Sequence, residues 1–213
     1  MHWIQRHILE QLMIHKTRHF SELRAEGVES NLFQYHLRHL INKKLVQKCE
    51  LGYELAPNGL YYADRFSPEF KGERPQPKLI TVAVVHNGAG QVLLLKKARQ
   101  PWLGDYHFPA GKIHTGETTD QAAMRELSEK AGITVDDVYF RALTHTTITK
   151  GGGLVSDNYG FIFRATYEGE VPGGEWKDID DPAVKALLAP GVEQIYEFEQ
   201  LGSGKFYPLT IDL

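Results

Sequence analysis

The first 66 residues place their apolar side chains at the spacing of amphipathic helices. Four-residue steps predict a first helix, residues 20–25 can form a short second one, and a stronger stripe predicts a third. We expect Ser30 or Asn31 to cap the third helix. The inward positions of the first and third helices are Ile4, Ile8, Leu12, Phe33, Leu37, Leu40 and Ile41.

Two short alternating segments follow, residues 46–50 and 53–55, and they predict a small β-hairpin or wing. Pro57 suits the first turn of a further helix that extends to about residue 66. This half of the chain is therefore predicted to contain three helices, a hairpin and a fourth helix.

The second half mixes strand-like and helix-like segments, which predicts an α/β layered domain. Residues 79–85 and 91–96 flank the turn 87–90 and form a predicted hairpin. The further predicted elements are strands at 138–149 and 158–166 and helices at 119–131 and 182–188. Gly151 to Gly153 are interpreted as a flexible connection.

The predicted helix over 119–131 has clear end signals. Thr118 and Gln121 make a capping box, and Gly132 suits the C-terminal stop. Ala123 and Leu127 lie four apart and mark its buried side. The helix therefore has a defined inward face.

Residues 67–78 contain three prolines and five charged residues among twelve, with no apolar period. We place a linker there, between a small domain at 1–66 and a larger one at 79–213. The 213 residues and a 42% hydrophobic content suffice for two cores. We identify no internal repeat.

Charge and cysteine content narrow the class of protein. The net charge is −3, yet residues 1–48 hold eight Lys or Arg against four Glu, so this segment is +4. The absence of a long apolar run and of a signal-peptide pattern predicts no membrane span. A single cysteine excludes an internal disulfide framework, and we expect a cytoplasmic protein.

Residues 111–133 fit the pattern G-x5-E-x7-R-E-U-x-E-E-x-G-U, where U is aliphatic, at every specified position except Lys130. Glu126 and Glu129 lie three apart on one helical face. Adjacent carboxylates are costly without a cation between them, and a hard divalent ion such as Mg²⁺ prefers such oxygen ligands. This stretch resembles the Nudix box of hydrolases that act on nucleoside diphosphates linked to another group.

The resemblance implies a Nudix-type α/β/α sandwich with a mixed sheet and assigns roles to box residues. Glu126, Glu129 and the carbonyl of Ala110 would bind Mg²⁺ or Mn²⁺, and Arg125 would orient the catalytic carboxylates. The candidates for contact with a nucleotide-type substrate are Lys112, Lys130, Trp102 and Phe108.

Lys130 stands where the resemblance expects a second Glu, which changes the local charge by two units. Three outcomes are open. Lys130 could turn outward and leave a weakened metal site, contact a substrate phosphate, or pair with Glu126 in the favourable i,i+4 order.

The first 66 residues resemble winged helix-turn-helix domains of bacterial and archaeal regulators, on the segment Tyr-His-Leu-Arg-His-Leu-Ile-Asn-Lys-Lys-Leu-Val and the later Tyr-Glu-Leu-Ala-Pro-Asn-Gly. The resemblance implies that the third helix enters the major groove of double-stranded DNA and that the protein binds DNA as a homodimer. The candidate DNA-binding residues are Asn31, Gln34, Tyr35, Arg38 and Lys43. A protein-docking role for the same surface stays open.

Two functions follow as expectations. One is a Mg²⁺-dependent hydrolase of a diphosphate linkage in a nucleotide derivative. The other is a transcription regulator whose Nudix-like domain senses a nucleotide without turnover, which the lysine at position 130 favours.

Overall fold

The computed structural model describes residues 1–67, 72–73, 76–202 and 204–213. The chain forms two compact units, residues 1–76 and 77–213. Half of the predicted linker, residues 68–71, 74 and 75, lies outside the described residues. Within the described ranges no helix is long and apolar enough to cross a membrane.

The N-terminal unit contains the helices and the hairpin that the apolar pattern predicts. Its elements are α1 (Trp3–Ile14), α2 (Phe20–Leu23), α3 (Ser30–Asn42), β1 (Val46–Cys49), β2 (Gly52–Leu55), α4 (Pro57–Arg65), β3 (Phe66–Ser67) and β4 (Gly72–Glu73). Strands β1 and β2 pair antiparallel, as do β3 and β4.

Helix α3 buries the stripe that its spacing predicts, with two corrections. Its N-cap residue is Glu29, so the predicted cap at Ser30 or Asn31 is wrong by one or two positions. Ile41 is only partly buried, whereas His36 is 6% exposed. The ring of His2, the N-cap residue of α1, stacks on His36 at a centroid distance of 4.1 Å and extends the contact between α1 and α3.

The C-terminal unit is built on an eight-stranded mixed sheet. Its elements are β5 (Lys78–His86), β6 (Val92–Lys96), β7 (Tyr106–His107), β8 (Ala110–Lys112), α5 (Thr119–Glu126), β9 (Tyr139–Lys150), β10 (Gly153–Thr166), β11 (Glu175–Lys177), α6 (Pro182–Lys185), α7 (Val192–Leu201) and β12 (Lys205–Asp212). The order across the sheet is β11-β6-β5-β10-β9-β12, with β7 beside β6 and β8 beside β5. Strands β10 and β5 are parallel, as are β12 and β9, and the other pairs are antiparallel.

Strand β5 shows how the sheet separates two cores. Val82 and Val84 pack with Val192 of α7 on one face, whereas Ala83 and Val85 pack with the box helix on the other. Because successive side chains of a strand point to opposite faces, a continuous apolar strand supplies both cores. The sheet lies between helical layers, which confirms the predicted α/β/α sandwich.

The box helix begins as predicted and ends differently. Thr118 and Gln121 form the capping box, and Ala123 and Leu127 are buried. After Glu126 the α-helix gives way to a π-helical turn, Leu127–Ala131, and Gly132 closes it with a φ of 71°. The wider turn was not predicted, and it follows Glu126 directly.

Several boundaries differ from the predictions. The helix predicted at 182–188 ends at Lys185, and β10 begins at Gly153 instead of residue 158. The predicted connection at 151–153 is a tight hairpin turn in which Gly151 and Gly152 both have positive φ angles of 56° and 77°. That backbone suits the two-residue turn of a hairpin and is accessible to glycine. Helix α7 and strand β12 were not predicted.

Candidate active site

Glu126 rests against the backbone of strand β8. A Cβ atom on Gly111 would lie 1.9 Å from the carboxyl carbon of Glu126, so any other residue there would collide with that carboxylate. The box glycine therefore allows the last residue of α5 to reach the strand that carries the Ala110 carbonyl.

Arg125 holds three carboxylates in place. Its Nε and Nη2 atoms donate to the two oxygens of Glu117 at 2.7 and 3.0 Å, and Nη1 donates to Glu126 at 2.7 Å and to Glu129 at 3.3 Å. Nη2 also donates to the Lys112 carbonyl at 3.0 Å. The hydrogen bonds from Arg125 and from the His114 backbone lower the pKa of Glu117 to about 2. Arg125 thus acts as a positioning residue for the box carboxylates.

Glu126 is a buried carboxylate that stays ionised. Burial acts to raise its pKa, but hydrogen bonds and positive charge from Lys130 and Arg125 outweigh burial and lower it. Its Oε2 atom is buried and accepts no well-aligned hydrogen bond from the described residues. The nearest cation is the Lys130 ammonium, whose Nζ lies 2.8 Å from Oε2. The geometry is thus that of an ion pair on an otherwise unsatisfied oxygen.

The Lys130 ammonium also donates to the carbonyl of Ala110. Of the three outcomes left open by the sequence, the structure contains the pair with Glu126. Two of the three groups that the box resemblance assigns to a metal, the Glu126 carboxylate and the Ala110 carbonyl, are therefore in contact with this one ammonium. Glu129 does not join them, because its side chain is 57% exposed and its ion-pair partner is Arg125.

The oxygen donors at this position are of the kind that a divalent ion prefers. The buried Oε2 of Glu126 and the Ala110 carbonyl are hard oxygen donors that converge on one position, which suits Mg²⁺ or Mn²⁺. No group of three or more His, Cys, Asp or Glu side chains in the described part of the chain could hold a metal. An ion would therefore depend on water and substrate oxygens for further ligands, and on displacement of Lys130.

A basic cavity of about 370 Å³ adjoins these residues. Four basic residues line it: Lys96, Lys97, Arg99 and Lys130. His107 and Ala110 also line it. Burial, followed by the positive charges of Lys130, Lys78 and Arg99, lowers the pKa of Lys97. Such crowding of cations is unfavourable in isolation and suits an anionic ligand.

A second, smaller space of about 160 Å³, here called the aromatic cavity, lies on the α7 side of the sheet. Trp102 and Phe108 line it with aliphatic residues such as Ile148, and Lys97, His107 and Ala110 line both cavities. Trp102 has a φ of 65°, a left-handed backbone that costs about 1–2 kcal/mol in a non-glycine residue. Backbone strain of this kind is concentrated at ligand-binding and active sites, so the strained backbone of Trp102 marks the aromatic cavity as a candidate binding site.

The predicted substrate residues divide between these places. Trp102 and Phe108 line the aromatic cavity, and Lys130 lines the basic one. The Lys112 side chain is exposed, and its described role is the backbone contact with Arg125. Sequence reasoning missed Lys97, because the only available signal was a cluster of basic residues after a predicted strand.

The predicted DNA-binding residues lie on the surface of the N-terminal unit. Their side chains are all exposed, and they comprise Asn31, Gln34, Tyr35 and Arg38 of α3 and Lys43 at its C-cap. The opposite side of the same helix carries Phe33, Leu37 and Leu40 in the core.

Comparison with known proteins gives consistent results for the C-terminal unit. The NUDIX domain family model matches residues 76–202. The oxidized purine nucleoside triphosphate hydrolase of Danio rerio is 38% identical over 116 residues, which cover 48% of this chain and 67% of that protein. The uncharacterized Nudix hydrolase YvcI of Bacillus subtilis is 30% identical over 122 residues, 54% of this chain and 74% of that protein.

Among solved structures, the NUDIX domain of Shewanella oneidensis NrtR, complexed with ADP ribose, aligns with a TM-score of 0.51 at 19% identity. The alignment covers 67% of this chain and 96% of that one, and at this identity it supports the fold alone. The family model spans more than half of the chain and includes the carboxylates, the arginine and the glycine described above. The chain therefore belongs to the Nudix family.

Proposed function

We propose that the chain hydrolyses a phosphoanhydride linkage of a nucleotide with the help of Mg²⁺ or Mn²⁺. The observation that carries this proposal is the buried Oε2 of Glu126, which lies with the Ala110 carbonyl around a single cation position, filled by the Lys130 ammonium, beside a basic cavity. A divalent ion bound there would neutralise phosphate oxygens and promote attack by water.

In this proposal different residues bind the metal, position the carboxylate and contact the phosphates. Glu126 and the Ala110 carbonyl would hold the ion, and Glu129, which pairs with Arg125, would add negative charge nearby. Arg125 fixes the Glu126 carboxylate through a 2.7 Å hydrogen bond and keeps it from turning away. Lys97 and Arg99 supply positive charge for the phosphates in the basic cavity.

We further propose a purine nucleotide as the substrate. The relative from Danio rerio is named for oxidized purine nucleoside triphosphates, and a mouse relative, 34% identical over 113 residues, is named 8-oxo-dGDP phosphatase NUDT18. This chain covers 32% of the mouse protein. The aromatic cavity would receive the base beside Trp102 and Phe108, while the phosphates extend into the basic cavity.

The experiment is a panel of oxidised and unmodified nucleoside triphosphates, ADP-ribose, NADH and dinucleoside polyphosphates with Mg²⁺ or Mn²⁺. We expect metal-dependent release of phosphate products from the native protein and its loss in Glu126→Gln. Absence of turnover across the panel at saturating metal, with Glu126→Gln indistinguishable from the native protein, contradicts the proposal.

A second function is favoured by one observation, the contact of the Lys130 ammonium with both Glu126 and the Ala110 carbonyl. An internal cation at that place lets the pocket bind a nucleotide without a metal. The C-terminal unit would then act as a sensor. Nucleotide binding without metal, combined with no turnover, is the expected signature of this alternative.

For the N-terminal unit we propose a winged-helix role in binding double-stranded DNA. The exposed face of α3 presents amide and guanidinium groups that can bond base edges, and residues 1–48 carry a charge of +4. Arg38→Ala should weaken duplex binding, and the affinity should fall steeply as salt rises. Unchanged binding in Arg38→Ala, or none at low salt, favours protein docking instead. Homodimer formation is a further proposal, to be checked by light scattering.

A further inference from the structure

The aromatic cavity contains a buried polar atom that the protein leaves unpaired. Thr146 is 5% exposed, lies on β9 and lines this cavity. Its Oγ1 atom has no hydrogen-bond partner among the described residues. A buried hydroxyl without a partner is unfavourable, so a ligand atom that forms a hydrogen bond with it would recover that loss.

His107 supplies a second polar atom at the junction of the two cavities. Its Nδ1 lies 2.7 Å from the carbonyl oxygen of Phe108. A carbonyl can only accept, so Nδ1 must carry the hydrogen, and this bond orients the ring. Burial, together with the charges of Lys97 and Lys130, lowers the pKa of His107 to about 4. The ring is therefore neutral near pH 7, and its Nε2 is a bare acceptor.

A bare acceptor discriminates between two forms of a purine. The N7 atom of guanine is itself an acceptor, so it would face Nε2 lone pair to lone pair. A guanine that carries oxygen at C8 has a hydrogen on N7 and presents a donor at the same position. Only the oxidised base can therefore donate a hydrogen bond to His107.

We propose that His107 is a specificity-determining residue that selects purines with an N–H group at position 7, and that the Thr146 hydroxyl supplies a second contact with the same base. This inference rests on the proposed function in one respect, namely that the base enters the aromatic cavity. It does not require that the protein hydrolyse its ligand. The donor could also come from the sugar, because a ribose hydroxyl presents an O–H to the same acceptor.

The test measures binding of nucleoside monophosphates by calorimetry without metal, so turnover plays no part. The probes are 8-oxo-dGMP, dGMP and GMP. The native protein should bind 8-oxo-dGMP roughly 10- to 100-fold more tightly than dGMP. His107→Leu should reduce that ratio to near unity. His107→Gln can turn its amide to present either the oxygen or the NH2 group, so it should bind 8-oxo-dGMP more tightly than His107→Leu does without restoring the ratio.

Two threonines provide a matched pair of controls. Thr81 Oγ1 is also buried without a partner, but Thr81 lines neither cavity. Thr146→Val should weaken 8-oxo-dGMP binding several-fold, whereas Thr81→Val should not change it. Equal effects of the two substitutions would show that loss of a hydroxyl acts through the fold and would remove Thr146 from the assignment.

The remaining outcomes are also decisive. Equal affinity of the native protein for 8-oxo-dGMP and dGMP overturns the proposal, as does an unchanged ratio in His107→Leu. A preference for GMP over dGMP that disappears in His107→Leu assigns the acceptor to the ribose and overturns the base contact. A preserved 8-oxo preference without any hydrolysis would contradict the proposed enzyme while leaving this inference intact.

Discussion

Removal of the Lys130 ammonium should tighten binding of a divalent metal. This ammonium contacts the two oxygens proposed to hold the ion, so an incoming cation must displace it. Lys130→Met removes the charge and keeps an unbranched side chain. Lys130→Glu also adds a carboxylate, and should have a larger effect.

The size of the effect follows from the charges. The Lys130 side chain is 42% exposed, so the effective dielectric lies between the ~20 of a protein site and the ~80 of water. With a value of about 40 and a separation of about 6 Å after displacement, a divalent ion and an ammonium repel by ~3 kcal/mol. Salt screening reduces this energy to ~1.5–3 kcal/mol, which corresponds to a roughly 10- to 100-fold gain in metal affinity.

The assay is a Mn²⁺ titration followed by electron paramagnetic resonance of the free ion, with calorimetry as a second readout. Lys150→Met is the control, because it removes one exposed charge from the same unit but lines neither cavity. The native protein and Lys150→Met should bind Mn²⁺ equally, and Lys130→Met should bind it more tightly. Equal affinity in all three proteins would refute the argument from charge.

Three further predictions concern the same unit. Gly111→Ala should displace the Glu126 carboxylate and reduce metal-dependent turnover by about 10²-fold. Gly153→Ala should be tolerated in the same assay, because the nearest atom to its added Cβ would lie 3.5 Å away. Arg125→Lys should reduce kcat/KM by roughly 10- to 100-fold, because one ammonium cannot bridge Glu117 and Glu126 as the guanidinium does. An unchanged kcat/KM would show that this bridge is not needed. The pKa of His107, about 4 in the folded unit, is below its ordinary value of 6.5, so the stability from the neutral ring is present above pH 6.5 and is lost as the pH falls towards 4. Urea unfolding should show a loss of up to ~3 kcal/mol over this range that His107→Gln lacks; parallel curves for the two proteins would contradict it.

The elements that were predicted correctly from the sequence are those whose signals lie within a short segment of the chain. The box helix has its cap and buried face within a dozen residues, and the hairpin of β5 and β6 is joined by a short turn. Helix α7 escaped prediction because its inward face includes Glu199, a carboxylate that the sheet neutralises through Arg164 and His86. Strand β12 contains Pro208, which weakens a strand pattern and is compatible with its position at the edge of the sheet.

The site was predicted to the extent that it lies in one segment. The box gave Arg125 and Glu126, and the four-residue step offered the pair of Glu126 with Lys130 as one of three outcomes. No local pattern brings Lys130 to the carbonyl of Ala110, 20 residues earlier, because that contact depends on how the helix lies on β8. His107 and Thr146 meet in one cavity only after distant strands have paired.

The most direct measurement of the central claim is an anomalous-scattering map from a crystal of the full chain soaked with Mn²⁺ and a nonhydrolysable nucleotide. We predict a Mn²⁺ peak between the Glu126 carboxylate and the Ala110 carbonyl, with the Lys130 side chain moved away from both. Nucleotide density in the two cavities without a Mn²⁺ peak, and with the Lys130 ammonium still on those oxygens, would contradict the claim.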